Sequence, residues 1–250
     1  MQRFKDKTVI VTGAGSGIGA ATATRFSQEG AAVVLVGRDE GKLERVAAGL
    51  ANARVVSADV GSQDGAAAIV ETALTMGGID VLVNNAGIVV DGEIDQVSPE
   101  DWQRQFQTNV FGPYIVTRAA WPHLRASGGN VVNTSSVSGL GGDWGMLAYN
   151  ASKGAVTNFT RALALDGAKY GIRVNAVNPA LTRSELTRDM LSDQDLIARF
   201  RERMPLGAPL EPEAVAAVIA FLASDDARFV TGVNLPVDGG CMASNGQPPQ

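Results

Sequence analysis

The sequence predicts a doubly wound α/β fold, a parallel sheet of seven strands with helices on both faces. Apolar, β-rich runs recur at residues 8–11, 32–36, 54–57, 81–84, 131–134, 173–178 and 234–237, and stretches of helical period separate most of them. The runs are apolar without alternation, as strands covered on both faces must be. The loops after the runs are the unusual ones, rich in glycine, asparagine and serine, and such sheets bind ligands beyond the carboxyl ends of their strands.

With 250 residues, 45% hydrophobic and 19% charged, and no break in composition, the chain is expected to be one catalytic domain over residues 1–250. A net charge of -5 and a pI near 5.0 argue against nucleic acid or an anionic membrane as partner and favour a small molecule. Cys241 is the single cysteine and no zinc-ligand spacing occurs, so no metal is expected and a reducing compartment fits. The N-terminus enters its first apolar run directly, without a signal peptide's long apolar stretch or a span of ~20 apolar residues. A cytoplasmic protein is the expectation.

The first strand leads into Thr12-Gly13-Ala14-Gly15-Ser16-Gly17-Ile18-Gly19 and then a helix. Glycines permit the tight turn and let a pyrophosphate approach the amides at the helix's positive end. The spacing G-x-x-x-G-x-G differs from the general G-x-G-x-x-G dinucleotide fingerprint, but its place between strand and helix favours cofactor binding over a turn of no function. The second strand ends at Gly37, where a domain for NAD places a carboxylate, about twenty residues beyond the glycines. Arg38 follows, and a guanidinium suits a 2′-phosphate by charge and shape. NADP is therefore the expected cofactor, with NAD as the alternative if Asp39 takes the carboxylate's role. An Arg38 paired in solvent with Asp39 or Glu40 is the structural alternative.

The third strand ends at Asp59-Val60, a carboxylate placed to accept from an adenine amino group, and the fourth at Asn84-Asn85-Ala86-Gly87, a small-residue turn. The segment 101–125 reads as one helix, in which Asn109 is the odd polar residue and, read alone, a buried amide satisfying a carbonyl. His123, the single histidine, sits near that helix's end without a serine–carboxylate pattern, which disfavours a Ser-His-Asp hydrolase. The fifth strand opens the stretch 135–153, which carries Ser136 near its start and Tyr149 and Lys153 at its end. Tyr149 and Lys153 are four residues apart in a helical segment, so they share a face. A cation close to a phenol lowers its pKa from ~10 and brings proton exchange with an alcohol within reach. Taken alone, the pair reads first as a surface decoration of an amphipathic helix.

With T-G-x-x-x-G-x-G, D-V, N-N-A-G, Asn109, Ser136 and Y-x-x-x-K in that order, the sequence resembles the short-chain dehydrogenase/reductase family along essentially its whole length, a Rossmann-type fold. The resemblance implies hydride transfer between a nicotinamide cofactor and a CH–OH group. Tyr149 would be the general acid/base, Lys153 its tuner and ribose holder, Ser136 the partner of the substrate oxygen, and Asn109 the holder of a relay water. Gly13, Ser16, Gly17, Ile18 and Gly19 would hold the phosphates, Asp59 and Val60 the adenine, and Asn85, Ala86 and Gly87 the adenosine ribose side. Pro179, Thr182 and Ser184 would meet the nicotinamide carboxamide and diphosphate, although Ala180 stands where the family has glycine, which suggests a loop of different shape. Residues 184–209 would form a substrate lid, in which Arg199, Arg201 and Arg203 offer either a docking patch for an acidic partner or a solvated helix face.

The loop between Ser136 and Tyr149 borders the substrate, so Trp144 and Met146 are candidates for its apolar wall, unless Trp144 only packs the loop. That GLGGDWG run and the 241–250 tail resemble the meso-2,3-butanediol dehydrogenase/acetoin reductase branch, implying a small vicinal diol or α-hydroxyketone as substrate. The rivals are a 3-oxoacyl thioester, a cyclic ketone or an aryl ketone, and, from another class, a non-catalytic dinucleotide-binding module. The resemblance also implies a homotetramer, with Gln247 and Pro248 reaching towards a neighbour's pocket.

Overall fold

The computed structural model describes residues 2–245. The tail residues Gln247 and Pro248 lie outside them. In chain order the elements are β1 (Thr8–Thr12), α1 (Gly17–Gln28), β2 (Ala32–Gly37), α2 (Glu40–Ala47), β3 (Ala53–Ser57), α3 (Gln63–Thr75), β4 (Val81–Asn84) and α4 (Pro99–Phe106). A π-helical turn (Gln107–Phe111) joins α4 to α5 (Gly112–Ser127), followed by β5 (Asn130–Thr134), α6 (Leu147–Ala168) and β6 (Arg173–Pro179). The chain continues through α7 (Arg188–Ser192), α8 (Gln194–Arg203), α9 (Pro212–Ala223) and β7 (Asn234–Val237).

All seven expected strands form, within a residue of their expected ends, in one parallel sheet of order β3-β2-β1-β4-β5-β6-β7. The lack of alternation in the strands has a direct cause, because successive residues serve two cores. Val9, Val11, Val33 and Leu35 pack on one face with Phe26 of α1 and Val215 and Ile219 of α9. Ile10, Val34 and Val36 pack on the other with Ile69 of α3 and Ile115 and Val116 of α5. Each such fully buried side chain contributes roughly 1.5–3 kcal/mol. Helix α1 lays Thr22, Ala23 and Phe26 on the core and ends at Glu29, before Gly30 with its φ of 94°.

The strand order reverses between β1's two neighbours, β2 and β4, and a crevice opens there at the carboxyl ends. Every loop singled out in the sequence emerges on that edge. The segment expected to be one helix around Asn109 is instead interrupted by the π turn, with Asn109 at its centre. One extra residue per turn redirects the carbonyls locally, a distortion common at functional sites. Residues 184–209 fold as a 3-10 turn, α7 and α8, anchored by buried Ile197 and Met204. Among the described residues no helix is long and apolar enough to cross a membrane.

Candidate active site

Beyond the carboxyl ends lies a cavity of about 250 Å³. Of the residues expected at the site, Gly13, Ser16, Gly17, Ile18, Asn85, Ala86, Gly87, Ser136, Tyr149, Lys153, Pro179, Thr182 and Ser184 line it. Gly19, Arg38, Asp59, Val60, Asn109, Trp144 and Met146 do not.

One wall is backbone laid on backbone. Gly13 has a φ of 66°, and a Cβ there would stand 2.8 Å from the Ala86 Cα. At Gly17, with φ 52°, it would stand 2.8 Å from the Ser184 Cβ. Gly19 lies behind this wall, where a Cβ would fall 2.0 Å from the Gly13 carbonyl oxygen, so its work is packing. Thr12 pins the two loops together, because its Oγ1 accepts the amides of Asn85 and Ala86 at 2.9 and 3.0 Å. The Asn85 side chain donates to the Thr12 carbonyl at 3.0 Å. Asn85 is thus a clamp of the cradle. Ser16 makes no side-chain cap on α1, so its hydroxyl does not occupy the helix's first-turn amides.

Helix α6 supplies the opposite wall. Lys153 is buried, donates from Nζ to the Thr134 carbonyl at 2.7 Å, and stands 5.6 Å from the Tyr149 ring centre. Burial pushes its ammonium down to about 8. Burial also pushes the Tyr149 phenol up to about 12, the Ser136 hydroxyl draws it back and the Asp143 carboxylate adds to the rise. The phenol's shift therefore runs opposite to the sequence expectation. Both groups share one desolvated pocket, and desolvation penalises phenolate and ammonium alike.

The serine doublet is resolved by its partners. Ser135 Oγ is committed to the Lys153 carbonyl at 3.0 Å and Thr157 Oγ1 at 2.8 Å, a structural tie. Ser136 Oγ faces Ser138 and the cavity. Asn109 is 1% exposed, and its amide closes on Ile88, accepting the N–H at 2.9 Å and donating to the carbonyl at 3.0 Å. That arrangement matches the buried-amide reading and fixes the strand-end loop beside Lys153, since Gly87 lies between the two side chains.

At the second strand's end, Arg38 is exposed and forms no ion pair among the described residues, whereas Asp39 is spent capping α2 through Lys42 N at 3.0 Å. Asp59 is exposed and holds the Gly61 amide at 2.8 Å, while Val60 is buried in the core. Ala180 has no positive φ, so its Cβ costs nothing and the loop after β6 needs no glycine. Trp144 is 98% exposed, neither packing its loop nor lining the cavity. Met146 is half-buried and bridges to Gly92 instead.

Sequence reasoning missed Thr134, Ser135, Ile88, Leu186 and Thr187, which also line the cavity, as does Ala180. Thr187 ties its loop by donating to the Thr182 carbonyl at 2.7 Å. A leucine 52% exposed, Leu186, marks the lid side, a feature visible only once burial is known.

These residues suit a dinucleotide: a cradle that an added Cβ would fill, and a buried ammonium that carries three N–H groups and gives one to the Thr134 carbonyl. Residues 13–242 match the family described as Enoyl-(Acyl carrier protein) reductase. The chain is 47% identical over 98% of its length to the meso-2,3-butanediol dehydrogenase of Serratia marcescens, covering 98% of that protein. A 3-ketoacyl-(acyl-carrier-protein) reductase from Brucella melitensis, solved in complex with NADH, superposes with a TM-score of 0.89 at 37% identity, covering 95% of this chain and 99% of that one. A short-chain dehydrogenase/reductase of unknown function from Caenorhabditis elegans, solved with cofactor, gives a TM-score of 0.88 at 35% identity, with 98% of each chain covered.

Proposed function

The chain belongs to the short-chain dehydrogenase/reductase family and is an oxidoreductase of CH–OH groups that takes a nicotinamide dinucleotide, and from that premise we propose that it interconverts a small vicinal diol and its α-hydroxyketone with NADP(H). The observation that carries the reaction is one cavity holding Ser136, Tyr149 and Lys153 against a side-chain-free cradle.

When bound, the dinucleotide supplies or accepts the hydride at the carbinol carbon. Neutral Tyr149 hands its proton to the carbonyl oxygen in reduction, and as the phenolate it takes one from the alcohol in oxidation. Lys153, anchored by the Thr134 carbonyl, keeps positive charge beside the phenol as it ionises and offers its other N–H groups to ribose hydroxyls. Ser136 bonds the substrate oxygen and stabilises charge developing there. Asn109, held on Ile88, fixes the loop that faces Lys153 and serves the proton relay from that position. The cradle of Gly13, Ser16, Gly17 and Ile18, backed by Gly19, takes the diphosphate, Asn85 to Gly87 the adenosine ribose, and Asp59 the adenine, with Val60 behind it in the core. Pro179, Thr182 and Ser184 hold the nicotinamide side.

Preference for NADP rests on the exposed Arg38 guanidinium, which forms no ion pair among the described residues, on Gly37 in the usual carboxylate position, and on the capping duty of Asp39. The diol reading rests on the relative named for butanediol, and Trp144 and Met146 are assigned to the substrate side on the same ground. A 3-oxoacyl thioester is the second reading, favoured by the reductase that superposes with the chain. The exposed Arg199, Arg201 and Arg203 would then dock its carrier. We assign residues 1–250 to one catalytic domain, with 184–209 as its lid, and propose a cytoplasmic homotetramer. Exposed Phe111 in the π turn, Tyr114 on α5 and Leu165 on α6 support association. Light scattering that returns a monomer removes the tetramer.

Initial rates with NADPH and NADH against diacetyl, acetoin, a 3-oxoester and aryl ketones test the rest. Acetoin and diacetyl should give the highest kcat/KM, with NADPH preferred. A tenfold preference for NADH would sink the cofactor assignment, and a higher kcat/KM for the 3-oxoester would sink the diol.

A further inference from the structure

The loop that joins Ser136 to α6 contains a chain of hydroxyl groups ending on a carboxylate. Ser136 Oγ lies 3.1 Å from Ser138 Oγ, and Ser138 Oγ bonds Asp143 Oδ2. Both serines are buried, while Asp143 is exposed. Its backbone is fixed, because the Asp143 N–H donates to Asn150 Oδ1 at 3.1 Å and Asn150 Nδ2 donates to the Met146 carbonyl at 2.7 Å.

The donor and acceptor inventory sets the direction of every proton in this chain. A carboxylate only accepts, so Ser138 spends its proton on Asp143. Ser138 Oγ then presents lone pairs, and the Ser136 proton goes to it. Ser136 Oγ also accepts the Ser138 N–H at 3.1 Å. Of the competing acceptors for the Ser136 proton, the Pro179 carbonyl is farther away at 3.4 Å, and the Tyr149 phenol, neutral below its raised pKa, accepts it less strongly than the phenolate would. What Ser136 has left for the cavity is a lone pair.

We propose that Asp143 is a positioning residue: acting through Ser138, it turns the Ser136 hydroxyl so that the site offers an acceptor to an alcohol and must break a hydrogen bond before offering a donor to a ketone. The proposal rests on Ser136 meeting the reacting oxygen, as assigned above. The reaction's equilibrium constant fixes the ratio of kcat/KM in the two directions, so the device cannot favour one direction in that quantity. It acts on how tightly each partner is held, and so on the two KM values separately.

Asp143→Asn is nearly isosteric, and its amide can donate to Ser138. The chain then reverses, with Ser138 donating to Ser136 and the Ser136 proton facing the cavity. The KM for the ketone should fall and that for the alcohol should rise, each about three- to tenfold, the worth of one neutral hydrogen bond. In a Ser138→Ala background the same substitution should change neither KM by more than about twofold, because the link is gone. Butane-2,3-diol and acetoin are the first pair to measure. Wild-type inactivity on them counts against the substrate reading alone, and the test then passes to propan-2-ol and acetone. Equal changes of both KM values in the same direction, no change in either, or the full effect persisting without Ser138 would each overturn the proposal.

Discussion

The wall around Gly13 and Asn85 is packed on main-chain atoms, whereas the flank of the site from Gly141 to Met146 is a largely exposed loop, outside the cavity lining and held by a few side-chain bonds. In the first, an added Cβ meets main-chain atoms, which cannot move aside, as at Gly13, where it would stand 2.8 Å from the Ala86 Cα. In the second, Trp144 is 98% exposed and Gly142 and Gly145 have nothing within 4 Å of an added Cβ. The contrast separates two demands on one site. On the proposed assignment of the loop to the substrate side, the ligand shared by a whole family of reactions is met by geometry that tolerates little variation, and the ligand that differs where variation costs little.

The sharpest break is expected where the walls meet. Tyr149→Phe removes the oxygen that gives the proton in reduction and takes it in oxidation, and should lower kcat by about 10²–10⁴-fold, with dinucleotide affinity nearly unchanged. Stopped-flow or steady-state rates decide it. Retention of more than about a tenth of the wild-type rate would remove Tyr149 from its role, since uncatalysed proton exchange could not sustain that.

Gly19→Ala tests the rigid wall alone. The new Cβ would fall 2.0 Å from the Gly13 oxygen and 2.7 Å from Asn85 Nδ2, so either α1 or the strand-end loop must shift. A loss of about 2–4 kcal/mol in urea denaturation is expected, within the range for overpacking and disrupted buried bonds. A loss below about 0.5 kcal/mol would show that this wall yields as easily as the other.

Lys153 sharpens the comparison through pH. Its ammonium is pushed down to about 8 from an ordinary value of 10.5, so between those values the unfolded chain binds more protons than the folded one. Stability contributed at this position therefore rises as pH rises through that window. At pH 7 the buried charge costs about 3 kcal/mol relative to the neutral amine, by the conversion of 1.36 kcal/mol per pKa unit. Lys153→Met does not titrate. Between pH 7 and pH 9.5 the wild type should gain about 2 kcal/mol on that variant. Tyr149, raised to about 12, works in the opposite sense but only above its ordinary value of 10.0, outside this range. A constant difference between the two proteins would mean that Lys153 is not desolvated.

The same division explains what could be read from residues alone. Strands 8–11 to 234–237 were legible because burial on both faces leaves an unbroken apolar run, and the cradle because only glycine meets its backbone demands. Four-residue spacing was enough to put Tyr149 and Lys153 on one face. What burial does to them was not legible, because desolvation depends on the sheet and loops that close over α6, and it reversed the expected direction for Tyr149. The π turn at Asn109 escaped for a related reason. Its sequence is compatible with an uninterrupted helix, and the bulge is set by the amide's bonds to Ile88, 21 residues away. Ser138 and Asp143 lie in the run read as bordering the substrate, where Trp144 and Met146 drew the assignment, because a chain of hydroxyls shows itself only through its partners in space.

The smallest effect is expected at the most conspicuous side chain of the looser wall. Trp144 touches no aromatic ring or cation among the described residues, and 98% of it is exposed, so Trp144→Ala should leave unfolding stability within about 0.5 kcal/mol of wild type. Its effect on kcat/KM separates two accounts of why so large an apolar side chain stands in water. If the loop acts within one chain, removing a residue outside the cavity should change kcat/KM for acetoin by less than about threefold, since no hydrophobic contact of roughly 1 kcal/mol or more is lost. A loss of tenfold or more, with stability unchanged, would place the indole on the substrate, either by closure of the loop or by a neighbouring subunit pressing it inward. Light scattering on the same variant divides those two outcomes, because only the second predicts a change in association.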